Sequence, residues 1–321
     1  MVMSDSKTLC SAFWKHTNIR NDNRVFPCCR FKTSIQTFDG DVDSILKSKN
    51  YDNLRSLSLN GKEIDGCAKC YYEESQGKTS LRQKFNNEYN TDKVELKFLE
   101  VGLDNICNLT CDGCWSEFSS SWSEKQYPDQ PKSFHIRSSK DLENIPATID
   151  KILFLGGEPL MTKRHYKILK KIKNRSNVSV IYNTNGTFRL DSDTVKMLKN
   201  FKKIKFIVSV DGYKQLNEKV RSGTKWSDVV TFIQSAQNFK FDVEIHTVVH
   251  LNNWHGLQDL STFIEQYKLA WTTNVLTYPK HLDIRNVKNK IKCKEFINSV
   301  SNLPNKEYML KHLESNENII K

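Results

Sequence analysis

The sequence has little of what would place it in several common protein classes. Its 321 residues contain no apolar run approaching the roughly 18 residues that a membrane span needs. The first ten residues lack the apolar core of a secretion signal. No Ser-His-Asp set, phosphate-binding loop or Rossmann glycine pattern appears, and there is no internal repeat. We therefore expect an intracellular, cytoplasmic protein without a membrane partner.

The composition indicates a folded chain with one strongly basic segment. Hydrophobic residues make up 38%, and 17 Phe, 11 Tyr and 6 Trp supply ample core material. The net charge is +12, and residues 160–205 hold thirteen Lys or Arg against two acids, which is +11 of that total. Such a block can bind nucleic acid or an acidic partner, or it can be the solvated side of two helices.

Short apolar runs at even spacing predict a parallel sheet from residue 94 onward. The runs alternate with helical patterns, which is typical of strands joined by crossover helices. About six units fit, too few for a closed eight-unit barrel. The predicted strands are Val94–Leu103, Ile152–Leu155, Val178–Tyr182, Ile204–Val210, Val243–Val249 and Trp271–Leu276. The predicted helices are Lys163–Lys173, Ser227–Phe239, Leu257–Tyr267 and one that Asp191 caps and that runs through Leu198.

Three regions follow from this pattern. Residues 1–90 carry five cysteines and several turn signals, which predicts a small metal-stabilised module. Residues 91–270 form the α/β core, a partial (β/α)6 barrel, with a loop expected at Ser116–Ser139. Residues 271–321 are basic and predict a helical extension, in which the isolated Cys293 is interpreted as a small apolar residue.

Cysteine is the most informative residue type. The count of nine is odd and no secretion signal is present, so a disulfide framework is a poor explanation. Cys107-Asn-Leu-Thr-Cys111-Asp-Gly-Cys114 places three thiols just after an apolar strand. Thiolates at this density suit a soft metal or an iron–sulfur cluster, and three ligands leave one metal position open, as in catalytic sites. The alternative is a zinc site completed by a remote ligand.

The C-x3-C-x2-C spacing resembles the radical SAM superfamily. The resemblance implies that Cys107, Cys111 and Cys114 bind three irons of a [4Fe–4S] cluster, while S-adenosylmethionine (SAM) chelates the fourth. In that family an electron from the cluster cleaves SAM, and the 5′-deoxyadenosyl radical abstracts hydrogen from substrate. One departure is Gly113, where the family often has a larger residue near the adenine; Trp115 is a possible substitute.

Motifs at successive strand ends extend the resemblance, which implies that they bind SAM. Gly156-Gly157-Glu158-Pro159 is similar to the GGEP motif that holds the SAM amino group, and paired glycines let a ligand approach the backbone. Thr184-Asn185-Gly186 would lie near the cofactor. By the same resemblance Ser209 would contact SAM, Asp211 would shape the pocket, and Arg221 would take the SAM carboxylate. A surface charge is the alternative for Arg221.

A second cysteine set resembles the SPASM/twitch auxiliary-cluster module. The resemblance implies a [4Fe–4S] cluster, and it extends to Gly77-Lys-Thr-Ser80-Leu-Arg82 after the last two cysteines. A structural zinc site is the alternative, and the sequence does not separate Cys28 from Cys29. The expected ligands are Cys10, Cys28 (or Cys29), Cys67 and Cys70.

The sequence therefore predicts a radical SAM enzyme that uses an external reductant and acts on an unidentified substrate, first a peptide or protein. A nucleotide or RNA substrate stays open because of the basic block. The competing hypothesis is a non-enzymatic, zinc-stapled protein whose basic helices bind nucleic acid. The isolated His246 on the fifth strand is either a hydrogen-bonded core residue or a side chain that points into the barrel.

Overall fold

The structure, a computed structural model, describes residues 7–315. The two chain ends at residues 1–6 and 316–321, parts of the expected first and third regions, lie outside it. Across the described residues no helix combines the length and the apolar composition that spanning a membrane requires. The N-terminal region contains α1 (Ala12–Lys15), β1 (His16–Ile19), β2 (Arg24–Phe26), β3 (Gln36–Thr37), α2 (Lys49–Leu59), α3 (Ala68–Ser75) and α4 (Leu81–Glu88).

The core and the extension follow in alternating strands and helices. The core contains β4 (Phe98–Gly102), β5 (Thr110–Cys111), α5 (Ser120–Gln126), β6 (Lys151–Leu155), α6 (Arg164–Lys171), β7 (Ser179–Thr184), α7 (Ser192–Leu198), β8 (Lys203–Ser209), α8 (Gln215–Val220), β9 (Arg221–Ser222), α9 (Trp226–Asn238), β10 (Asp242–Val249), α10 (Leu257–Gln266) and β11 (Ala270–Val275). The extension contains α11 (Lys290–Ser299) and α12 (Lys306–Glu314). The expected boundary at residue 270 thus falls on the first residue of β11.

Six parallel strands confirm the predicted α/β fold of a partial barrel. Their spatial order is β11-β10-β8-β7-β6-β4, and each neighbouring pair is parallel. Side chains alternate along each strand. Phe154, Tyr182 and Phe206 are fully buried in the main apolar cluster, whereas Asn183 and Ser209 line the interior of the barrel. The open sheet therefore surrounds a space with a polar wall.

The N-terminal region continues the same sheet. Strand β1 pairs with β4 in parallel, with His16 opposite Phe98, and β2 and β3 extend the sheet by antiparallel pairing. Ile19 and Val25 from these strands are fully buried in the main apolar cluster of the barrel. The expected border near residue 90 is therefore crossed by a continuous sheet and a shared core.

The segment Ser116–Ser139 is more ordered than the expected loop. Helix α5 begins there because the Ser119 side chain caps it, accepting a hydrogen bond from the Trp122 backbone N–H. Buried His135 completes the turn, with its Nδ1 2.9 Å from Ser123 Oγ. The prediction of a loop was wrong for α5, since its Ser-rich sequence supplies a cap together with a helical turn.

The C-terminal extension packs on the far edge of the sheet. Cys293 is fully buried in an apolar cluster with residues of α11, α12 and β11, as expected for a small apolar side chain. The extension also contacts the N-terminal region, because Lys311 Nζ donates to the Gln76 carbonyl at 3.0 Å. Lys78 lies over the Tyr308 ring, with 4.2 Å between its Nζ and the ring centroid. These contacts bridge the two ends of the chain.

Candidate functional site

The three-cysteine loop lies at the carboxyl edge of the sheet, directly after β4. Strand β5 pairs with β9, so that Cys111 stands opposite Arg221. Helix α5 holds the loop from another side, because Ser121 Oγ donates to the Cys107 carbonyl at 2.7 Å and Trp122 Nε1 donates to the Cys111 carbonyl at 2.9 Å. The segment that was expected to be a loop thus contributes the helix that positions two of the cysteines.

The thiols of Cys107, Cys111 and Cys114 are half-buried and line one cavity of about 410 Å³. Burial, with a further contribution from neighbouring thiols, raises the pKa of Cys107 to about 11 and that of Cys114 to about 12. A bound cationic group would relieve both effects, because metal coordination deprotonates a thiol. This donor set therefore fits the iron–sulfur cluster that the sequence motif implies.

A cluster and a single metal ion require different spacings of their ligands. Within residues 7–315 no three His, Cys, Asp or Glu side chains converge closely enough to hold one metal ion. A zinc ion requires such convergence, because each Zn–S bond is about 2.3 Å long. An iron–sulfur cluster is larger and carries its thiolates on separate irons, so its ligands lie farther apart. The arrangement is compatible with the cluster alternative in both cysteine sets.

Gly156 and Gly157 pack against the three-cysteine loop. Gly156 has φ +134°, and a Cβ there would lie 2.4 Å from the Asp104 carbonyl oxygen. A Cβ on Gly157 would lie 2.3 Å from the Ile106 carbonyl oxygen. Both glycines also line the cavity. Because these glycines have no side chains, the cysteine loop can pack closely against them. Their backbone also remains accessible to a ligand.

Glu158 is buried behind the two glycines, near Cys107 and Arg221. Its side chain is 1% exposed, and its carboxylate accepts hydrogen bonds from Thr184 Oγ1 (2.8 Å), the Asn185 N–H (2.6 Å) and the Leu160 N–H (3.1 Å). Burial raises its pKa to about 7 despite these donors. Neither Glu158 nor Pro159 is part of the cavity wall. These hydrogen bonds join the ends of β6 and β7, and the contact between this carboxylate and the SAM ammonium stays a prediction.

The last residue of β7, Thr184, and the first residue after it, Asn185, line the cavity. Asn185 Nδ2 donates to Asn108 Oδ1 at 2.9 Å, which ties this end of β7 to the three-cysteine loop. Its Oδ1 accepts from the backbone N–H and the hydroxyl of Thr187. Both amide atoms of Asn185 are thus engaged, and its position is fixed by the cysteine loop.

An ion pair closes the cavity after β8. Arg221 Nη1 donates to Asp211 Oδ2 at 2.7 Å, and Asp211 Oδ1 accepts from the Val248 N–H at 2.8 Å. The Arg221 Nε–H is buried and has no hydrogen-bond partner among the residues described. Ser209, Asp211 and Arg221 all line the cavity. An unpaired donor on a fixed guanidinium is a fit for the carboxylate that the resemblance implies.

The wall near Gly113 is built by residues that the sequence did not single out. Trp115 packs edge-on against Phe118 and Tyr278 and is not part of the cavity wall. Leu276 and Phe118 line the cavity instead, and a Cβ on Gly113 would lie 3.2 Å from Leu276 Cδ1. The suggested substitution by Trp115 is therefore corrected. No local motif marks Leu276, which reaches the cavity only through the fold.

The second cysteine set is buried in the N-terminal region. The side chains of Cys10, Cys28, Cys67 and Cys70 are 4–8% exposed. Burial is the largest cause of the raised pKa of each thiol, and neighbouring cysteines of this set raise the pKa of Cys10, Cys28 and Cys67 further. Four thiols enclosed together are a donor set that fits a fully ligated cluster.

The structure separates the two adjacent cysteines. Cys28 is buried in one apolar cluster with Cys10 and Cys67. Cys29 is exposed and lines the same cavity as Cys107, Cys111 and Cys114. Adjacent residues in this turn therefore have different surroundings: Cys28 packs with Cys10 and Cys67, whereas Cys29 faces the cavity.

The stretch from Gly77 to Arg82 braces the second cysteine set. Ser80 and Gln83 form a reciprocal capping box at the start of α4. Arg82 Nη1 donates to the Leu9 carbonyl at 2.7 Å, and its Nε donates to Glu74 Oε1 at 3.0 Å. The stretch thereby fixes the backbone next to Cys10.

A second cavity of about 770 Å³ adjoins the first and shares Cys29, Asn183 and Ser209 with it. His246 lies in its wall, which shows the orientation that the sequence left open. Its Nδ1 is 3.0 Å from Thr272 Oγ1, and Thr272 donates to Glu244 Oε1 at 2.8 Å. The interior of the barrel is therefore polar and continuous with the cysteine cavity.

The core of the chain matches a known protein family. A family model described as "Radical SAM superfamily" matches residues 103–264. No curated protein sequence matches the chain significantly.

Similar solved structures include a chain titled "Native anSMEcpe with bound AdoMet", with 16% identity, a TM-score of 0.44, and coverage of 64% of this chain and 59% of that one. Streptococcus suis SuiB bound to S-adenosylmethionine has 14% identity, a TM-score of 0.44, and coverage of 84% and 54%. TYW1 with a lysine-pyruvate adduct has 12% identity, a TM-score of 0.40, and coverage of 83% and 89%. This chain therefore covers less than two thirds of the length of the anSMEcpe and SuiB chains.

Proposed function

The chain belongs to the radical SAM superfamily, and from that premise we propose that it cleaves SAM reductively and abstracts hydrogen from a peptide or protein. The family implies SAM and a [4Fe–4S] cluster, which, when bound, supplies the electron for that cleavage. The single observation that carries the proposal is the shared cavity of Cys107, Cys111, Cys114 and the strand-end residues Asn185, Ser209 and Arg221.

The chain's own groups divide the work of holding SAM. The three thiolates bind the cluster and leave one iron free for the cofactor. Gly156 and Gly157 offer bare backbone to the amino group, and the buried Glu158 carboxylate beside them balances its positive charge. Arg221 takes the SAM carboxylate through its unpaired Nε–H, while Asp211 keeps the guanidinium in position.

The second cavity is the place we propose for the substrate. It meets the cavity of Cys107, Cys111 and Cys114 at Asn183 and Ser209, so a substrate there would lie beside SAM. Its wall carries hydrogen-bonding side chains from β10, β11 and the extension, which suits the amide groups of a peptide. These residues are His246, Thr272, Asn274 and Asn305.

We further propose an auxiliary [4Fe–4S] cluster on Cys10, Cys28, Cys67 and Cys70. Four buried thiols leave no position for SAM, so this cluster would stabilise the N-terminal region or relay electrons. Structural zinc on the same cysteines is the alternative.

The test is an iron and sulfide count followed by an activity measurement. We expect about eight irons and eight sulfides per chain after reconstitution without oxygen, as two clusters require. With dithionite as external reductant, SAM should then yield 5′-deoxyadenosine. About two zinc ions per chain and no iron would contradict the proposal and support a zinc-stapled binding protein.

Arg221 gives a prediction about SAM affinity. Arg221→Lys keeps the charge beside Asp211 but removes the Nε–H, so we expect SAM to bind about tenfold more weakly, as the loss of a hydrogen bond to a charged group implies. The measurement is equilibrium dialysis of SAM with cluster-loaded protein.

Arg285→Lys is the matched control, because Arg285 forms a similar ion pair with Asp283 (2.7 Å) in the extension, away from the cavity. It should leave the SAM affinity unchanged. Iron content is measured in both variants to separate loss of SAM contacts from loss of the cluster. If Arg221→Lys and the parent protein bind SAM equally tightly, the Arg221 Nε–H does not bind the SAM carboxylate.

A further inference from the structure

A basic groove lies on the outside of the barrel, between helices α6 and α7. Its volume is about 590 Å³, and five cationic side chains line it against one carboxylate, Asp193. None of its residues belongs to the cysteine cavity or to the second cavity. The five cations are Lys163, Lys167, Lys170, Arg175 and Lys196.

The positive surface continues around helix α6. A second groove of about 380 Å³ shares Lys167 and Lys170 with the first and adds Arg164 and Lys171. The cations therefore follow both sides of one helix instead of surrounding a single point. This extended arrangement fits a chain of negative charges better than one small anion.

Most of these basic side chains form no ion pair with an acid among the described residues. Of the thirteen basic residues between 160 and 205, four form ion pairs with acids among the residues described. Lys163, Lys167, Lys170 and Lys196 are exposed and form no ion pair within residues 7–315. The four residues with ion pairs are Arg164, Lys171, Lys203 and Lys205.

Helix stability does not account for the pattern. Cations near a helix C-terminus are favourable, which covers Lys170 and Lys171. Arg164 is held by the Leu103 and Ser139 carbonyls and by Asp141. Lys163, however, stands at the N-terminus of α6, where the helix dipole disfavours positive charge, and the first turn has no acid. The charge at this end is thus kept against a local cost, which points to an external partner.

We propose that the α6–α7 surface binds the phosphate backbone of a nucleic acid. Protein interfaces have cores depleted in charge and rich in aromatic side chains, whereas nucleic-acid interfaces are polar and strongly positive. Among the residues lining the two grooves, the apolar side chains are buried or half-buried, and lysine predominates. The surface lies outside the barrel, so it recruits the nucleic acid instead of presenting it to the radical.

Fluorescence anisotropy with a labelled single-stranded RNA of about 20 nucleotides tests this proposal. If each of the five cations of the first groove contacts a phosphate, the logarithm of affinity falls against log salt with a slope of about −3.5. The variant Lys163→Glu/Lys167→Glu/Lys170→Glu should lower the magnitude of the slope by about 2. At about 0.1 M salt that loss corresponds to about 100-fold weaker binding.

A matched control carries the same change of net charge elsewhere. Lys288→Glu/Lys290→Glu/Lys292→Glu alters three exposed lysines at the start of α11 and should leave RNA affinity within about threefold of the parent protein. Equal weakening by both triple variants, or no binding by the parent, would overturn the proposal. Equally effective competition by a polyglutamate of similar length would reassign the surface to an acidic protein.

The readouts of this experiment are independent of the radical chemistry. Both triple variants should retain the iron content and the SAM cleavage of the parent protein, because none of the altered lysines lines either interior cavity. A failure of RNA binding therefore leaves the proposed reaction untouched, and a failure of SAM cleavage leaves the RNA surface untouched.

Discussion

Replacing Cys107, Cys111 and Cys114 together by Ala is expected to remove about four irons per chain and to abolish SAM cleavage. All three thiols line the cavity that also contains Asn185, Ser209 and Arg221, and in the described part of the chain no other cysteine except Cys29 reaches it. Without these thiols SAM has no iron to chelate. Reconstituted protein is assayed for iron, sulfide and 5′-deoxyadenosine.

The design needs a cysteine control and a check of the fold. Cys293→Ala removes a buried thiol from the apolar cluster of the extension and should leave about eight irons in place. The triple variant should keep about four irons at the second cysteine set, which shows that the N-terminal region is still folded. Residual 5′-deoxyadenosine from the triple variant would refute this assignment of the SAM site.

The strands of the core could be predicted because burial leaves a local record in the sequence. The predicted run Ile204–Val210 corresponds to β8 at Lys203–Ser209, and Val243–Val249 corresponds to β10 at Asp242–Val249. Asp191 caps α7 as expected, since its side chain accepts from the Thr194 N–H. Apolar alternation and caps depend on neighbours along the chain, so no knowledge of the fold is needed to see them.

The orientation of site residues could not be predicted in the same way. Glu158 follows two glycines at a strand end. That local pattern gives no indication that Thr184 and Asn185 donate hydrogen bonds to its carboxylate. Leu276 reaches the cavity only because β11 lies on the far side of the barrel. The pairing of β1 with β4 joins residues about 80 positions apart. Each of these features depends on contacts between distant segments.

Cys28 and Cys29 have the same side chain but different surroundings in the structure. Both residues are thiols in one turn, so the type of side chain cannot tell which one binds metal. In the structure Cys28 lies with Cys10 and Cys67 in an apolar cluster, while Cys29 faces the interior cavity. The prediction for these positions follows from burial instead of residue type.

Cys28→Ala is expected to lower the iron content from about eight to about four per chain, whereas Cys29→Ala should keep about eight. The two variants remove the same atoms from consecutive residues and are therefore each other's control. Loss of the auxiliary cluster should also lower the melting temperature of Cys28→Ala, because the metal ties together a region with a small core of its own.

The pattern of metal loss also separates the cluster from zinc. If the second site holds zinc, the parent protein contains about four irons and one zinc, and Cys28→Ala loses the zinc alone. If Cys29 is the ligand, the iron loss moves to Cys29→Ala and the burial argument fails. Since Cys29 lies in the interior cavity, Cys29→Ala should change that cavity while the iron count stays intact. Iron content therefore tests the ligand set without reference to the unidentified substrate.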